Sequence, residues 1–528
     1  MSVQCHFSHL SVTFNDIPLF DNISGTLNRQ VQGLTGHNGR GKSVLMSLLA
    51  QQRQPASGTI SWQVPFYYVP QLTRLSGITL ADALGTAEIL AALHRTEDGT
   101  ATAEDYDFLA DKWDMPRQQQ SLLESAQLAH LPADTLCTSL SGGEQTRLAL
   151  CRAFLQPRAF LLLDEPGNHL DAAGRRWLSE QLRNHPAGAL VISHERRLLD
   201  TMQRIFELTP SALEEYGGNY THYAEQKAFQ LSALQNEEKQ LQSQLNREKT
   251  ELQRALEKKA QRRRQGEKVR SSGSSSALLL DMKKNKAEKQ QSKITGRHDR
   301  VMTQLDSQRR EVNEKIQHIT PQMLSFNYTG EQKRVRINAR DLILPAGTQE
   351  PLSLTISGGE HWHIAGRNGC GKSTLLKVLA GLLTAKSGDY SLHGRLRYLD
   401  QHLALLNKDL PVTEALCEFD PAIPAQTWRT HLGALRIRGD KGLIPLSQLS
   451  GGEQLSGGEQ LKVTLLALTL SEPLPDILLL DEPDNHLDLD SRLLLDNMLR
   501  GYKGALLLVS HDEAFTENCA ITHTLTLA

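Results

Sequence analysis

The hydrophobic pattern of the chain differs between its two ends and its middle. Towards each end, short apolar runs finish in two carboxylates, as in FLLLDE (Phe160 to Glu165) and ILLLDE (Ile477 to Glu482). Apolar runs of this length are typical of strands buried on both faces of a parallel sheet. Similar short runs lead into VISHE at Val191 and LVSHD at Leu508. The pattern therefore predicts an α/β domain at each end of the chain.

The middle of the chain has a different, helical period. Apolar residues recur at alternating steps of 7 and 4 in two series, Leu234, Leu241, Leu245, Leu252 and Leu256, then Ile294, Val301, Leu305, Val312 and Ile316. This is the spacing of a coiled coil, and two matching series predict an antiparallel α-helical hairpin. The segment SSGSSSALLLDM (Ser271 to Met282) has the glycine and serine content of a flexible tip. Leu278, Leu279 and Leu280 there fit packing within the hairpin and contact with a partner equally well.

Two sequence repeats divide the chain into domains. GHNGRGKS (Gly36 to Ser43) recurs as GRNGCGKS (Gly366 to Ser373), and LLLDEPGNHLD recurs as LLLDEPDNHLD. The repeats are over 300 residues apart, which indicates duplicated domains and not a solenoid. A chain of 528 residues also exceeds what one hydrophobic core usually organises. We predict domains at 1–212 and 322–528, joined by the hairpin at 213–321.

The repeated glycine-rich segments are phosphate loops of the P-loop NTPase type. Their backbone N–H groups converge on phosphate oxygens at a helix N-terminus, and the lysine reaches the β and γ phosphates. The predicted nucleotide-binding residues are Gly36, Asn38, Gly39, Gly41, Lys42 and Ser43, then Gly366, Asn368, Gly369, Gly371, Lys372, Ser373 and Thr374. Mg²⁺ is expected to bind the two serines together with Asp164 and Asp481, since each aspartate ends an apolar strand at the phosphate end of the sheet.

Four further residues fit the hydrolysis of a phosphoanhydride. Glu165 and Glu482 follow the metal aspartates and are predicted to orient or deprotonate the attacking water. His194 and His511 follow short apolar strands, where each is expected to hydrogen-bond the γ phosphate. Either histidine alone fits an ordinary strand end, but both occur in the same context.

LSGGE, which ordinary phosphate-loop enzymes lack, resembles the signature of the ATP-binding cassette superfamily. The resemblance implies two ATP molecules held head to tail, each between the phosphate loop of one cassette and the signature of the other. It assigns the signature role to Ser141, Gly142 and Gly143, then Ser456, Gly457 and Gly458. It also assigns Gln71 and Gln401 as glutamines that approach Mg²⁺ and water, and Phe14 as an aromatic residue stacked on adenine. No aromatic residue stands at the matching place in the second cassette.

The signature hexapeptide LSGGEQ occurs once in the first half and twice in tandem in the second, at Leu449 to Gln454 and Leu455 to Gln460. Ser456 lies 25 residues before Asp481, close to the 23 residues between Ser141 and Asp164. Using the upstream copy would place two glycines inside the next helix, at a cost of roughly 1 kcal/mol each. We therefore predict that the downstream copy is the working signature. The extra residues then fall in the preceding loop, where insertions cost little.

Twin cassettes on one chain, both carrying EPxNHLD, and EEYGGNYTHYAEQK after the first cassette resemble the ABC-F family. That resemblance implies an ATPase of the cytoplasm that binds near the ribosomal E site and influences translation, closing as a monomer on two ATP. The chain departs from the family at Gly167 and Asp484, where threonine is usual, and at Val44, where threonine is common. Whether the role is regulation, ribosome assembly or antibiotic protection stays open.

Local charge suggests where RNA binds. The whole chain has 58 basic and 60 acidic residues, but Lys258 to Arg300 holds 14 basic and 4 acidic residues, a net charge of +10. A charge run is often only a solvated face, but at the end of a hairpin on an otherwise acidic protein it favours contact with ribosomal RNA, and with P-site tRNA. The candidate contact residues are Arg262, Arg263, Arg264, Lys268, Arg270, Lys283 and Lys284.

Two other functions fit part of this pattern. A DNA-associated ATPase would also use a basic coiled coil, and a transporter ATPase would also carry paired cassettes but would need surfaces for a membrane partner. No apolar stretch approaches the roughly 18 residues that a membrane helix needs, and the N-terminus lacks a basic segment leading into an apolar run. Six widely spaced cysteines without a CxxC pair fit free thiols in a reducing compartment.

Overall fold

The structure of the chain is a computed structural model. It describes residues 2–14, 17–71, 75, 77–110, 112–168, 170–209, 212–271, 277–320, 324–326, 333–367, 369–400, 405–437, 439–448, 457–485 and 487–527. Within these ranges it does not describe the side chains of residues 14, 17, 18, 259, 262, 263, 265–271, 277–295, 318, 319, 440, 448 and 457.

Several predicted site residues fall outside this description. The residues themselves lie outside it at Asn368, Gln401 and Ser456, as does the upstream LSGGEQ copy. Only the backbone is described at Phe14, Arg262, Arg263, Lys268, Arg270, Lys283 and Lys284, and at the leucines 278–280. Arg264, whose side chain is described, is exposed.

The first cassette has two sheets. Its strands are β1 (Val3–Phe14), β2 (Ile17–Asn28), β3 (Val31–Thr35), β4 (Ser57–Trp62), β5 (Phe66–Val69), β6 (Phe160–Asp164), β7 (Ala189–Ile192), β8 (Arg204–Leu208) and β9 (Leu213–Gly217). A six-stranded sheet has the order β5-β6-β7-β3-β8-β9 and is parallel except where β9 pairs with β8. A smaller antiparallel sheet has the order β2-β1-β4.

Helices of the first cassette cover the parallel sheet or lie between its strands in sequence. They are α1 (Lys42–Leu49), α2 (Leu80–Leu84), α3 (Ala87–Glu97), α4 (Ala103–Leu109), α5 (Met115–Ser125), α6 (Gly142–Phe154), α7 (Ala172–Asn184) and α8 (Arg196–Leu199). Leu45 and Met46 of α1 pack with Phe7 of the small sheet and Phe160 of the parallel sheet in one buried core. Every residue of β6 is buried, so the prediction of a fully buried strand is confirmed.

Two long helices follow, α9 (Tyr220–Ser271) and α10 (Ala277–Ile319). Arg309 Nε donates to Glu238 Oε1 at 3.0 Å, and His298 Nδ1 lies 2.7 Å from Glu248 Oε2. The partner number falls as the residue number rises, so the helices run antiparallel, which confirms the predicted hairpin. The predicted break was wrong at its second end, since it extended to Met282 and α10 begins at Ala277. Alanine and leucine are strong helix formers, and ALLLDM continues the helix.

The second cassette repeats the architecture. Its elements are β10 (Val335–Ile343), β11 (Leu352–Ser357), β12 (His361–Gly366), α11 (Lys372–Leu379), β13 (Ser387–Leu392), β14 (Leu396–Leu399), α12 (Val412–Phe419), α13 (Ala425–Ala434), α14 (Gly457–Leu470), β15 (Ile477–Asp481), α15 (Leu489–Arg500), β16 (Ala505–Val509), α16 (Glu513–Asn518) and β17 (His523–Leu527). Its parallel sheet has the order β14-β15-β16-β12-β17, and its antiparallel sheet has the order β11-β10-β13.

The chain forms two compact units. One unit contains residues 1–222 together with 321–528, so both cassettes belong to it, and the other contains residues 223–320 of the hairpin. In each cassette the strand that precedes the phosphate loop lies two places from the strand that ends in Asp164 or Asp481. Parallel strands end at one edge of the sheet, so this order gathers the candidate site residues there.

Candidate functional site

The first phosphate loop connects β3 to α1. Gly36 needs its glycine because its φ is +140° and an added Cβ would lie 2.6 Å from the Leu208 carbonyl oxygen. The Lys42 ammonium is buried and donates to the carbonyl oxygens of Gly36 and His37 at 2.8 and 3.1 Å and to Asn38 Oδ1 at 3.2 Å. Burial lowers the pKa of Lys42, against the opposing influence of nearby carboxylates. The lysine thus closes the loop on itself and sits among the groups that would face a phosphate.

The second phosphate loop has the same geometry between β12 and α11. Lys372 Nζ donates to the carbonyl oxygens of Gly366 and Arg367 at 2.9 and 3.0 Å. Ser373 Oγ donates to Asp481 Oδ1 at 2.9 Å, which joins the loop to the end of β15. Thr374 follows within α11. The two loops therefore present equivalent sets of backbone and side-chain donors.

The serine and aspartate pairs have the donor chemistry of a magnesium site. Asp164 is 3% exposed, and its Oδ1 has no hydrogen-bond partner among the described residues. Burial raises the pKa of Asp164 to about 7, and burial likewise raises the pKa of Asp481. Such a buried carboxylate without full hydrogen bonding is stabilised by a cation. No cluster of three or more His, Cys, Asp or Glu ligands occurs in the described part of the chain. A cation held by few protein oxygens plus phosphates is the usual arrangement for Mg²⁺.

Glu165 and Glu482 lie just beyond the ends of β6 and β15. Their φ angles are +49° and +48°, in the left-handed region that non-glycine residues seldom occupy. Each backbone N–H still continues the sheet, donating to the Ile192 or Val509 carbonyl oxygen. The same unusual conformation at matching positions holds both side chains at the phosphate edge of the sheets.

Each glutamate faces the predicted histidine of its own cassette. His194 Nε2 lies 4.0 Å from Glu165 Oε1, and His511 Nε2 lies 3.4 Å from Glu482 Oε1. Burial, followed by the charge of Lys42, lowers the pKa of His194 to about 3, so this imidazole is neutral. Burial raises the pKa of Glu482, but nearby His511 and the Asn485 amide outweigh burial and place it below its ordinary value. Glu482 is therefore ionised at neutral pH.

Two asparagines that the sequence reasoning missed touch these carboxylates. Asn168 Nδ2 donates to Glu165 Oε2 at 2.6 Å, and Asn485 Nδ2 donates to Glu482 Oε2 at 2.6 Å. Gln71 Nε2 donates to the same Glu165 oxygen at 3.0 Å, which places this predicted glutamine in the site. The signal for the asparagines was available, because both stand three residues after the glutamate in the repeated EPxNHLD.

The first phosphate loop is in contact with the second cassette. The Asn38 N–H donates to Asp488 Oδ2 at 3.0 Å, and His37 Nδ1 lies 3.3 Å from Asp490 Oδ2. Helix α14 begins at Gly457, and a Cβ added to Gly458 would lie 3.7 Å from Asn38 Nδ2. Asp488 was not predicted as a site residue, although it ends the repeated EPxNHLD motif. The structure thus brings the end of the second signature to the loop that carries Lys42.

The second phosphate loop borders a cavity of about 330 Å³. Lys372 and His511 line it from the second cassette, and Asp171 lines it from the first. The described residues Ser141, Gly142 and Gly143 are not part of this lining. Ser141 instead caps α6, where its N–H donates to Glu144 Oε2 at 2.8 Å. Asp171 holds the same place in the repeated EPxNHLD as Asp488, so each phosphate loop is bordered by this aspartate of the opposite cassette.

The chain is similar to known proteins in both sequence and fold. The sequence model of the ABC transporter family matches residues 20–168 and 349–485. The chain is 30% identical to the energy-dependent translational throttle protein EttA of Mycobacterium tuberculosis, over 93% of the chain and 85% of the relative. It is 29% identical to the ATP-binding protein Uup of Escherichia coli, over 96% of the chain and 78% of the relative.

A solved structure shares the architecture. The RNase-L inhibitor aligns with a TM-score of 0.53 at 19% identity, covering 96% of this chain and 85% of that chain. At this identity the likeness shows a common fold. Among the described residues, no helix combines the length and the apolar character required to cross a bilayer.

Proposed function

Because the chain belongs to the ABC-F family of ATP-binding cassette ATPases, we propose that it acts on the ribosome, near the E site, and modulates translation or protects the ribosome. The chain binds and hydrolyses ATP. The observation that carries the ribosomal proposal is its similarity, over nearly its whole length, to a relative named as a translational throttle. We place this activity in the cytoplasm, with a hairpin predicted at 213–321 between cassettes predicted at 1–212 and 322–528. Strand β9 (Leu213–Gly217) pairs with β8, so the sheet of the first cassette extends past residue 212.

Each ATP is held between a phosphate loop and the signature of the opposite cassette. Lys42 and the amides of its loop bind one nucleotide, which faces Gly457 and Gly458 at the start of α14. The contact between Asn38 and Asp488 supports this pairing. Ser141, Gly142 and Gly143 serve the nucleotide at Lys372, across the cavity that Asp171 lines. The chain then closes as a monomer on two ATP, with Phe14 against one adenine.

Hydrolysis transfers the γ-phosphoryl group to water, giving ADP and phosphate. Glu165 and Glu482 each orient one water and accept its proton as the new bond to phosphorus forms. His194 and His511 hydrogen-bond the γ phosphate, and Gln71 and Gln401 position the water. A Mg²⁺ ion bound by the serine and aspartate pairs would supply charge neutralisation for the phosphates. Asp164 and Asp481, the last residues of β6 and β15, would hold it.

The basic end of the hairpin is the proposed RNA contact. The net charge of +10 between Lys258 and Arg300 matches a phosphate backbone, either ribosomal RNA or P-site tRNA. Arg262, Arg263 and Arg264 are consecutive, and Lys268, Arg270, Lys283 and Lys284 stand close to them in sequence. A solvated helix face is the competing interpretation, and the salt dependence of binding distinguishes the two.

Ribosome pelleting with the variant Glu165→Gln, Glu482→Gln tests the whole proposal. Without a carboxylate to accept the proton, hydrolysis should fall by about 100-fold or more. ATP should still bind, so the closed chain should accumulate on ribosomes. Replacing Arg262, Arg263 and Arg264 with Ala in that variant should weaken pelleting. It should also lower the log–log salt slope by roughly 0.7 to 0.9 for each lost phosphate contact.

Matched measurements separate the alternatives. Retention on duplex DNA at equal salt, without ribosome pelleting, would favour a DNA-associated ATPase. Hydrolysis at close to the unmodified rate in the Gln variant would contradict the assignment of the glutamates. An unchanged salt slope would show that the three arginines lie on a solvated helix face and do not contact RNA.

A further inference from the structure

A short turn links each glutamate to the asparagine three residues later. The Asn168 N–H donates to the Glu165 carbonyl oxygen at 3.2 Å, and the Asn485 N–H donates to the Glu482 carbonyl oxygen at 3.3 Å. Proline follows each glutamate, at the second position of the turn, where its fixed φ is favoured. The backbone of the turn is therefore closed without help from the asparagine side chain.

The asparagine side chain forms a separate bond to the carboxylate. Nδ2 donates to glutamate Oε2 at 2.6 Å in both cassettes. The other oxygen, Oε1, is the one nearer the histidine, at 4.0 Å in the first cassette and 3.4 Å in the second. The amide at Oε2 restricts the rotation of the carboxylate while Oε1 lies on the side of the histidine.

The arrangement recurs in both cassettes with the same two atoms and the same distance. In the first cassette the Gln71 amide also donates to Glu165 Oε2, at 3.0 Å, whereas the matching Gln401 lies outside the described residues. The hydrogen bond from the asparagine is therefore common to both glutamates within the described chain.

We propose that Asn168 and Asn485 are positioning residues that orient the carboxylates of Glu165 and Glu482 towards the attacking water. This inference rests on the proposed role of the two glutamates in hydrolysis. The amide acts on the carboxylate, not on ATP, so its contribution appears when the water is aligned for attack. A misalignment of about 1 Å is enough to slow such a step strongly.

Isosteric replacement tests the bond most directly. In the full chain, Asn168→Asp with Asn485→Asp keeps the shape of both side chains but replaces the amide donor with oxygen, which repels the glutamate. Loss of a hydrogen bond to a charged group should lower kcat by about 10- to 100-fold. The KM for ATP should stay within about twofold, because an interaction that acts only in the transition state changes kcat alone. Asn168→Ala with Asn485→Ala should lower kcat by no more than the Asp pair.

Two control experiments show whether the asparagines act through the glutamates. Asn184→Asp makes the same chemical change at the exposed end of α7 and should leave kcat unchanged. In the Glu165→Gln, Glu482→Gln background, the asparagine substitutions should cause little further loss, because the carboxylates they orient are gone. Additive losses in that background would contradict the proposal.

Other outcomes would also overturn it. Normal kcat in the Asp variants, with the Gln variant inactive, would show that the asparagines do not act in hydrolysis, while the role of the glutamates would stand. An active Gln variant would contradict both the role of the glutamates and that of the asparagines. A raised KM with unchanged kcat, or loss of binding of a fluorescent ATP analogue, would show that the asparagines support the nucleotide site and not the carboxylate.

Discussion

At the scale of single residues, two of the three departures from the family pattern, Gly167 and Asp484, have a packing reason. A Cβ added to Gly167 would lie 2.4 Å from Glu195 Oε1, so any side chain there displaces the Glu195 carboxylate. That carboxylate lies 3.3 Å from Arg175 Nε and is largely buried. At the matching positions of the second cassette, Asp484 replaces the glycine and the shorter Asp512 replaces the glutamate. A shorter acid leaves room for a side chain at the turn.

The substitution Gly167→Thr should therefore destabilise the first cassette. Displacing Glu195 breaks its ion pair with the partly buried Arg175, which keeps only its hydrogen bond to the Leu170 carbonyl oxygen among the bonds of Nε. We expect a cost of about 1–3 kcal/mol in the free energy of unfolding. Adding Glu195→Asp should recover most of the loss, since it copies the second cassette. Gly217→Ala, where an added Cβ meets nothing within 4 Å, serves as the control. Thermal unfolding measures all three, and an unchanged midpoint for Gly167→Thr alone would refute the explanation.

At the scale of elements, the start of the second signature helix supports the prediction that the downstream LSGGEQ copy is the working one. Helix α14 begins at Gly457, as α6 begins at Gly142. A Cβ added to Gly458 would lie 2.9 Å from Ser491 Oγ and near Asn38, so the backbone approaches the opposite loop closely. Close backbone approach at a helix N-terminus is the arrangement that binds a phosphate.

Substitution in each copy tests this assignment. Ser456→Arg should abolish the ATPase activity that depends on Lys42, because a long side chain would enter the space between the signature and the phosphates. Ser450→Arg should leave activity within about twofold, because the upstream copy is predicted from the sequence to be an insertion, and loop insertions tolerate change. Deleting Leu449 to Gln454 should also preserve activity. Steady-state ATPase assays measure these effects. If Ser450→Arg abolishes activity and Ser456→Arg does not, the upstream copy is the working signature.

At the scale of the whole molecule, ion pairs join the two cassettes. Arg196 donates to Asp496 Oδ2 at 2.8 Å, with both side chains largely buried. Nearby, Arg197 pairs with Glu513 and with Glu517, the latter at 2.8 Å, but the Arg197 side chain is 52% exposed. Breaking a buried pair leaves an unpaired charge, whereas an exposed pair contributes little. Replacing each arginine in turn therefore compares the contribution of a buried ion pair with that of an exposed one at the cassette interface.

Arg196→Ala should weaken closure of the cassettes on ATP. We expect the KM for ATP to rise by about tenfold, which corresponds to a loss of about 1.4 kcal/mol of interface stability. Arg197→Ala should change KM by less than about twofold. A double-mutant cycle between Arg196 and Asp496 should show a coupling of at least about 1 kcal/mol. Equal effects of the two arginine substitutions would argue against a special role for the buried pair.

Features that depend on the local order of residues were predictable from the sequence alone. The phosphate loops need glycine, lysine and serine at fixed spacing, and the buried strands need uninterrupted apolar runs. Both therefore appear in the sequence as short motifs. Duplication then implied two cassettes, and steps of 7 and 4 between apolar residues predicted the antiparallel hairpin. The second end of the hairpin break was misplaced because glycine and serine mark only the start of that segment.

Contacts between residues far apart in the chain are seen only in the tertiary structure. Asn38 and Asp488 are 450 positions apart, and no local pattern states that their atoms touch. The displacement of Glu195 by a side chain at Gly167 likewise depends on two loops of one sheet edge packing together. Even the bond from Asn168 to the Glu165 carboxylate, between residues only three positions apart, forms because a turn brings the two side chains together. Contacts of this kind follow from how packed elements approach each other, which spacing along the chain does not specify.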